Sequence, residues 1–244
     1  MKKRNLIIVF AIIAVVFVSA IGFFVVNTLH NTTPPVEEVV QDEGVAKNIV
    51  IRDKVSKLEN TKKSINTIIP EFQNLDSDFQ RTINNRINED LNDINVYEEM
   101  TEIYGDEDIG KFTYEVDYER YNCGKYLSIV AKQYIHLGDG RPRFQKKCYV
   151  IDVERNASLL LEDVVTNKFD YKTSIITEIN NQASKQGIEL IGGNGLVELP
   201  KNQAFYIQDN KLVIYFEASE ISATAVGELE FVMPYEMLDG KFVI

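Results

Sequence analysis

The chain has two histidines and two cysteines among its 244 residues. That scarcity removes several kinds of chemistry. His30 sits at the edge of an apolar segment, which leaves His136 as the sole candidate base of its type. No second His or Cys stands near it at zinc-ligand spacing. A Ser-His-Asp triad would have to use the same imidazole, and no G-x-S-x-G nucleophile motif is present. His136 ends a predicted strand on the face of Tyr134 and Lys132, where a solvated strand-end histidine is the simpler reading. Gly192-Gly193-Asn194-Gly195 lacks the strand–glycine–helix setting of a phosphate cradle and reads as a connector. Asp106-Glu107-Asp108 lacks the EF-hand spacing and reads as a solvated loop. There is no solenoid-type repeat. No catalytic residue, metal or cofactor is assigned, and the chain reads as a non-enzyme.

Basic residues are also scarce. Lys and Arg number 26 against 37 Asp and Glu, a net charge of −11. Lys2, Lys3 and Arg4 stand ahead of everything else, so beyond residue 28 the balance is 23 against 37, or −14. A phosphate-binding surface needs a basic excess or stripe, so nucleic acid is not an expected partner. Charged residues at 26% and hydrophobic ones at 45% fit a folded protein rather than a disordered one.

Charge is missing altogether from Leu6 to Val26, a run of 21 residues. About 20 apolar residues cross a bilayer as a helix. The basic cluster before the run keeps the N-terminus, residues 1–5, in the cytoplasm and places the remainder outside. The competing reading is a signal peptide cleaved after Ala20, since Val18-Ser19-Ala20 has the small-residue spacing of a cleavage site. The apolar run continues past that site, which favours an uncleaved anchor at 6–26. No Cys follows the run, so a lipoprotein anchor is not expected. Residues 27–46 read as a linker, stiffened by Pro34-Pro35 and solvated by Glu37, Glu38, Asp42 and Glu43.

The remainder reads as α+β: antiparallel sheets with two amphipathic helices packed on one face. It divides into an N-terminal αβ subdomain, 47–105, and a C-terminal subdomain, 106–244. Strands are predicted at 48–58 and 62–69, the second ended by Pro70. A helix begins at Ser77, whose spacing from Gln80 is that of a capping box. Phe79, Ile83, Ile87, Leu91 and Ile94 form its apolar stripe. Residues 100–110 read as loop. Phe112, Tyr114, Val116 and Tyr118 alternate with polar residues, and strands around Ile129 and Ile151 follow. A second helix covers 169–186 and stops at Gly187. The tail is β-rich, with a hairpin turn at Asp209-Asn210 and one helical turn at Pro234 to Leu238.

Pairing the middle strands at residue numbers that sum to about 280 makes both apolar faces coincide, with Ile129 opposite Ile151. Cys148 then falls opposite Lys132 on the face away from the core. Cys123 lies nine residues further along, roughly 30 Å. A disulfide tolerates about 7 Å between Cα atoms, so both thiols are expected to be free.

Carboxylates supply the one binding surface the pattern suggests. Glu115, Asp117 and Glu119 lie on one face of a strand, where they repel each other unless water or a cationic partner covers them. A solvated sheet face is the competing explanation. Tyr121, Tyr126 and Tyr134 are candidates for stacking on sugars, against the commoner role of packing a core.

Taken in order, these features resemble a known group. The tail Phe205 to Phe216, the segment Glu220-Ile221 through Gly227, and Glu230 to Tyr235 match its strand–turn–strand and closing signatures. Ile68-Ile69-Pro70, the Ile83-Asn84 helix and the strand Tyr126 to Ile129 also fit. The resemblance is to the extracytoplasmic domain pair of lysozyme-sensing anti-sigma factors in Gram-positive bacteria, also found ahead of the catalytic domain in some peptidoglycan deacetylases. It implies a membrane-anchored or secreted module at the cell envelope that binds lysozyme, a strongly basic protein. The alternative is a module that holds peptidoglycan or another envelope component. The chain departs from the group in two loops. Asp139 and Arg141 stand in a turn that often carries a His, and Ser222 and Thr224 stand where an Ala-Pro-Tyr-Ala stretch is usual. With the acidic row, these four are the ligand-binding positions the reading proposes. No sigma-binding segment or deacetylase domain is recognised, so neither activity is expected. A hydrolase built on a carboxylate pair finds no support in the spacing.

Overall fold

Alternation of apolar and polar residues along Phe112 to Tyr118, and apolar faces on the two strands that follow, build the centre of the fold. The computed structural model describes residues 38–39, 49–104, 110–138, 140, 142–165, 170–238 and 240–242. The apolar run 6–26, most of the linker and the loop 106–108 lie outside them. Among the described residues no helix is long and apolar enough to cross a membrane.

The linker contributes a two-residue strand, β1 (Glu38–Val39). A hairpin follows, β2 (Val50–Glu59) and β3 (Lys63–Gln73), then two helices, α1 (Ser77–Asp90) and α2 (Asp93–Tyr104). The chain continues through β4 (Phe112–Cys123), β5 (Tyr126–Leu137), β6 (Arg143–Asp152) and β7 (Ala157–Ser158). These seven strands form one sheet in chain order. After α3 (Tyr171–Gln186) come β8 (Phe205–Gln208), β9 (Lys211–Phe216) and β10 (Leu229–Val232), a second sheet with β9 in the middle, and a final turn, α4 (Tyr235–Leu238). Asp209 and Asn210 take positive φ angles of 50° and 58°, as the predicted hairpin turn requires. Gly187 closes α3 in the left-handed conformation.

The large sheet is antiparallel except at one place. β3 and β4 run parallel, with Lys63 opposite Phe112 and Thr67 opposite Val116. Parallel neighbours need a long crossover, and α1 with α2 supplies it. The expectation of purely antiparallel sheets is corrected here. The sheet passes residue 105 without interruption.

Four further readings change. First, Asp76 rather than Ser77 caps α1, accepting from the N–H groups of Asp78 and Phe79 at 3.1 and 3.2 Å. Second, the helix stops at Leu91. The Asn92 side chain accepts from the Ile94 N–H at 2.9 Å and starts a separate helix, α2, where a loop was expected from 100 onward. Ile94 leaves the buried stripe and is 55% exposed, while Val96 and Met100 take its place in the core. Third, β3 does not end at Pro70 but runs to Gln73. Pro70 has no N–H to pair, and it lies beyond Thr67, where the contact with β4 ends, so none is missed. Fourth, β5 and β6 pair two residues away from the expected register, with Ile129 opposite Tyr149 and Ala131 opposite Lys147. A shift of two keeps every side chain on its face, so the core assignment survives the error.

The largest correction concerns the sheet's second face. α1 and α3 do not share a side. Ile83, Ile87 and Leu91 pack with Tyr114, Ile129, Ala131 and Tyr149 in one core. Ile175, Ile179 and Ala183 of α3 join Tyr126, Val130 and Val150 and all three strands of the small sheet in another. β5 therefore lies between two cores and is buried at every position from Tyr126 to Ala131. Ser128 marks the junction: its buried hydroxyl accepts from the Ile207 N–H of β8 at 2.9 Å.

Candidate functional site

The acidic row of β4 is present, but it is not bare. Asp117 stands opposite Lys132 in the ladder. Lys132 turns to Glu119 and forms an ion pair with it, and the Tyr121 hydroxyl donates to the same carboxylate at 2.5 Å. Partial burial would raise the Glu119 carboxyl, but Lys132 and Tyr121 together hold it below the usual carboxylate range. Glu115 has no cation beside it among the described residues, and burial pushes its carboxyl up. Asp117 and Glu119 are both exposed. One of the three charges is thus answered from within the protein.

The loop positions divide. Ser222 is 1% exposed, with its hydroxyl unpaired inside the protein, so it offers nothing to a surface ligand. Thr224 is exposed, 2.8 Å from the Ser219 hydroxyl. No hydrogen bond or ion pair ties either to the β4 row among the described residues. Asp139 and Arg141 lie outside the described residues.

The tyrosines also part company. Tyr126 is buried, and Tyr121 stacks on Tyr206 at 5.6 Å between ring centroids. Tyr134 meets Phe144 across the β5–β6 ladder at 5.2 Å, and Phe144 is 58% exposed. His136 is half-buried, its Nε2 2.8 Å from the Gly140 carbonyl at the hairpin tip.

Neither cysteine forms a disulfide. Cys123 pairs with Tyr126 and Cys148 with Val130, four residues along the sheet and two strands across it. That places them roughly 16 Å apart, nearer than the sequence suggested but still beyond disulfide reach. The face away from the first core is not solvent at Cys148, because the small sheet covers it. Burial pushes the Cys148 thiol up to about 12. Thiolates, not thiols, react with alkylating agents. The native protein at pH 8 should therefore leave Cys148 unmodified by iodoacetamide over hours, and modify it at once in urea. Mass spectrometry of the two digests checks this.

The sequence reading passed over a denser acidic surface. From residue 87 to residue 110 there are nine carboxylates, Glu89 to Asp108, and no Lys or Arg. The described part of this run is chiefly α2, whose Glu98, Glu99 and Glu102 are exposed beside buried Val96 and Met100. Among the described residues three cations approach the run: Arg143 lies 3.9 Å from Glu99, Arg86 lies near Asp90, and the Lys63 ammonium sits over the Tyr97 ring. Charge counted along the chain would have found this stretch; attention to a single strand face did not.

A cleft of about 730 Å³ runs along the outer edge of β6. Arg86 and Asp90 of α1 stand on the side of Tyr149. Gln203, Glu217 and Glu220, from segments flanking β8 and β9, line it with Cys148 and Tyr215. Arg86 lies 3.8 Å from Asp90, and Lys146 forms an ion pair with Glu230 at 2.5 Å. The cleft holds no imidazole, and its one thiol stays protonated. Its lining combines charges of both signs with apolar side chains such as Val150, Leu159 and Phe205.

Comparison with known proteins bears on the fold. A family model described as "Protein of unknown function (DUF3298)" matches residues 162–236, from before α3 to α4. The chain is similar to a crystal structure of a DUF3298 family member from Bacteroides fragilis, with a TM-score of 0.56 and 15% identity over 88% of this chain and 96% of that one. It is also similar to a DUF3298 family protein from Pseudomonas aeruginosa, with a TM-score of 0.52 and 10% identity over 80% and 93% of the two chains. No curated protein matches. At such identities the likeness is one of fold. It supports the tail signature at the level of this domain, and neither match names an anti-sigma factor or a deacetylase.

Proposed function

We propose that the chain is a membrane-tethered extracytoplasmic binding module without catalytic activity, working at the Gram-positive cell envelope. Its partner on this reading is a cationic protein such as lysozyme. The observation that carries it is the acidic run 87–110, of which Glu98, Glu99 and Glu102 stand exposed on α2, in a chain whose balance beyond residue 28 is −14. The apolar run Leu6–Val26 would hold that surface outside the membrane.

Attraction between exposed charges is screened by salt. The full chain in detergent micelles should bind lysozyme in calorimetry, and affinity should fall by roughly tenfold or more between 20 and 300 mM salt. Neutralising Glu98, Glu99 and Glu102 together to Gln should weaken binding by about five- to tenfold at low salt. Absence of binding, or binding indifferent to salt, would sink the reading. A cell-wall polymer is the second candidate, favoured by the exposed Phe144 beside Tyr134. Co-sedimentation with purified walls that is lost in Phe144→Ala would support it instead.

A further inference from the structure

The floor of the cleft is a strand edge left open by the fold. β5 pairs with β6 along all of Arg143–Asp152 on one side. On the other side β7 pairs only with Ile151 and Asp152. The chain then leaves after the Leu159 N–H donates to the Val150 carbonyl at 2.8 Å. Lys146 presents its N–H to the same outer edge, where a side chain, the Tyr215 hydroxyl, accepts it at 3.1 Å. Every second residue of a strand offers its backbone to the same edge. Cys148, between Lys146 and Val150, therefore turns its N–H and C=O to the cleft, and no backbone partner meets them among the described residues. The stretch from residue 143 to 149, which no strand covers among the described residues, is about 20 Å long, with the Tyr215 hydroxyl set against its middle.

Unpaired edges are templates for another strand, and proteins ordinarily cover, shorten or charge them. Here walls rise on both sides and leave a slot. The walls also differ in charge. On the side of Cys148, Glu217 and Glu220 stand together; Arg143 lies 4.0 Å from Glu217, and Lys146 is held by Glu230. Burial, with the Glu217 charge beside it, raises the Glu220 carboxyl. Every cation on that wall already has an acidic partner among the described residues. On the side of Tyr149, Lys147 has no ion partner among the described residues and Arg86 only the distant Asp90.

We propose that the cleft binds an extended segment of a partner protein as an added strand on β6, with basic side chains against Glu217 and Glu220 and neutral or acidic ones toward Arg86 and Lys147. Backbone pairing supplies the affinity and the two walls select the side chains. The proposal rests on the cationic-partner reading for the sign of one face only; the edge geometry is independent of it.

The test uses the full chain in detergent micelles. The probe is an acetylated, amidated nine-residue peptide with lysine at odd positions and valine or glutamate at even ones. It should bind saturably and slow amide exchange at residues 146–149. Two isomers, N-methylated at odd or at even positions only, keep the charge but lose alternate N–H donors. One edge of the guest faces β6, so one isomer should lose about tenfold or more in affinity and the other should stay within about twofold. Equal effects in both frames, exchange unchanged at 146–149, or no binding would each overturn the proposal. Lysozyme binding without peptide binding would do so while leaving the previous section's reading intact. Peptide binding in one frame without lysozyme binding would do the reverse.

Discussion

Replacing Asp152 by alanine should lower the stability of the folded chain by about 3 kcal/mol. Its carboxylate is 0% exposed and gathers the turn after β6. The N–H groups of Glu154 and Arg155 donate to it at 3.1 and 3.0 Å, the Arg155 guanidinium at 2.7 Å, and Lys125 stands at 3.7 Å. Hydrogen bonds to a charged group are each worth more than neutral ones, but the donors here reach water when released, which limits the loss. For a domain of this size the unfolding midpoint should fall by roughly 6–12 °C. Burial alone would raise the Asp152 carboxyl; the Arg155 donors and Lys125 outweigh it and hold the group below the usual carboxylate range. The folded group thus titrates below its unfolded value, near 3.9. Its contribution is complete above that value and disappears as pH falls through the folded one. Urea unfolding of the wild type and Asp152→Ala should show the full gap at pH 7 and a much smaller one near pH 2. Asp152→Asn, which keeps an acceptor for the backbone donors, should lose about half as much. An unchanged gap in acid would show that the turn is held by something other than this charge.

Asn84→Ala should cost about 2–5 kcal/mol, more than its place on a helix flank suggests. β3 has lost β4 as a neighbour by Phe72. The Asn84 amide takes over the role of the missing strand, accepting from the Phe72 N–H at 2.8 Å and donating to the Phe72 carbonyl at 2.9 Å. Phe72 is fully buried, so removing the amide strands a donor and an acceptor away from water. Asn84→Asp keeps the acceptor but sets a carboxylate against the carbonyl, and should cost at least half as much as alanine. Amide exchange at Phe72 should change from core-like to fast in the alanine variant. Retained protection there would assign the bond a minor role.

Both residues show where sequence periodicity runs out. The stripe of α1 was legible because Ile83, Ile87 and Leu91 repeat at helical spacing. Asn84, one position away, looked like an ordinary polar flank, since a side chain that completes a sheet edge carries no periodic mark. The faces of β4, β5 and β6 were legible for a similar reason. A strand's side chains alternate, so even a register wrong by two residues put Ile129 and Tyr149 in the right core. The second core was not. β5 is apolar on both faces near Val130, which alternation cannot express, and the strands that cover it arrive some 75 residues later in the chain. For the same reason Ser222 was placed at a surface when it is enclosed, and Cys148 when it is half-buried against the small sheet. The short helix α2 was hidden by its carboxylates, with only Val96 and Met100 to mark its inner face. The cleft was invisible for another reason: its floor is a row of backbone groups, which no residue type announces.

The strands of the large sheet stand side by side in the order in which they are synthesised. A chain that emerges from its N-terminus can therefore add each strand to the one before it, without waiting for a distant partner. Contacts between near neighbours form quickly and at small entropic cost. The exception is the apolar patch at Val130 and Val150, which stays uncovered until residues 205–232 have emerged. During that interval the nascent chain is most exposed to sticking to its neighbours. The same chain order that makes the sheet easy to build thus sets the moment of greatest risk late in folding, when the small sheet closes over the large one.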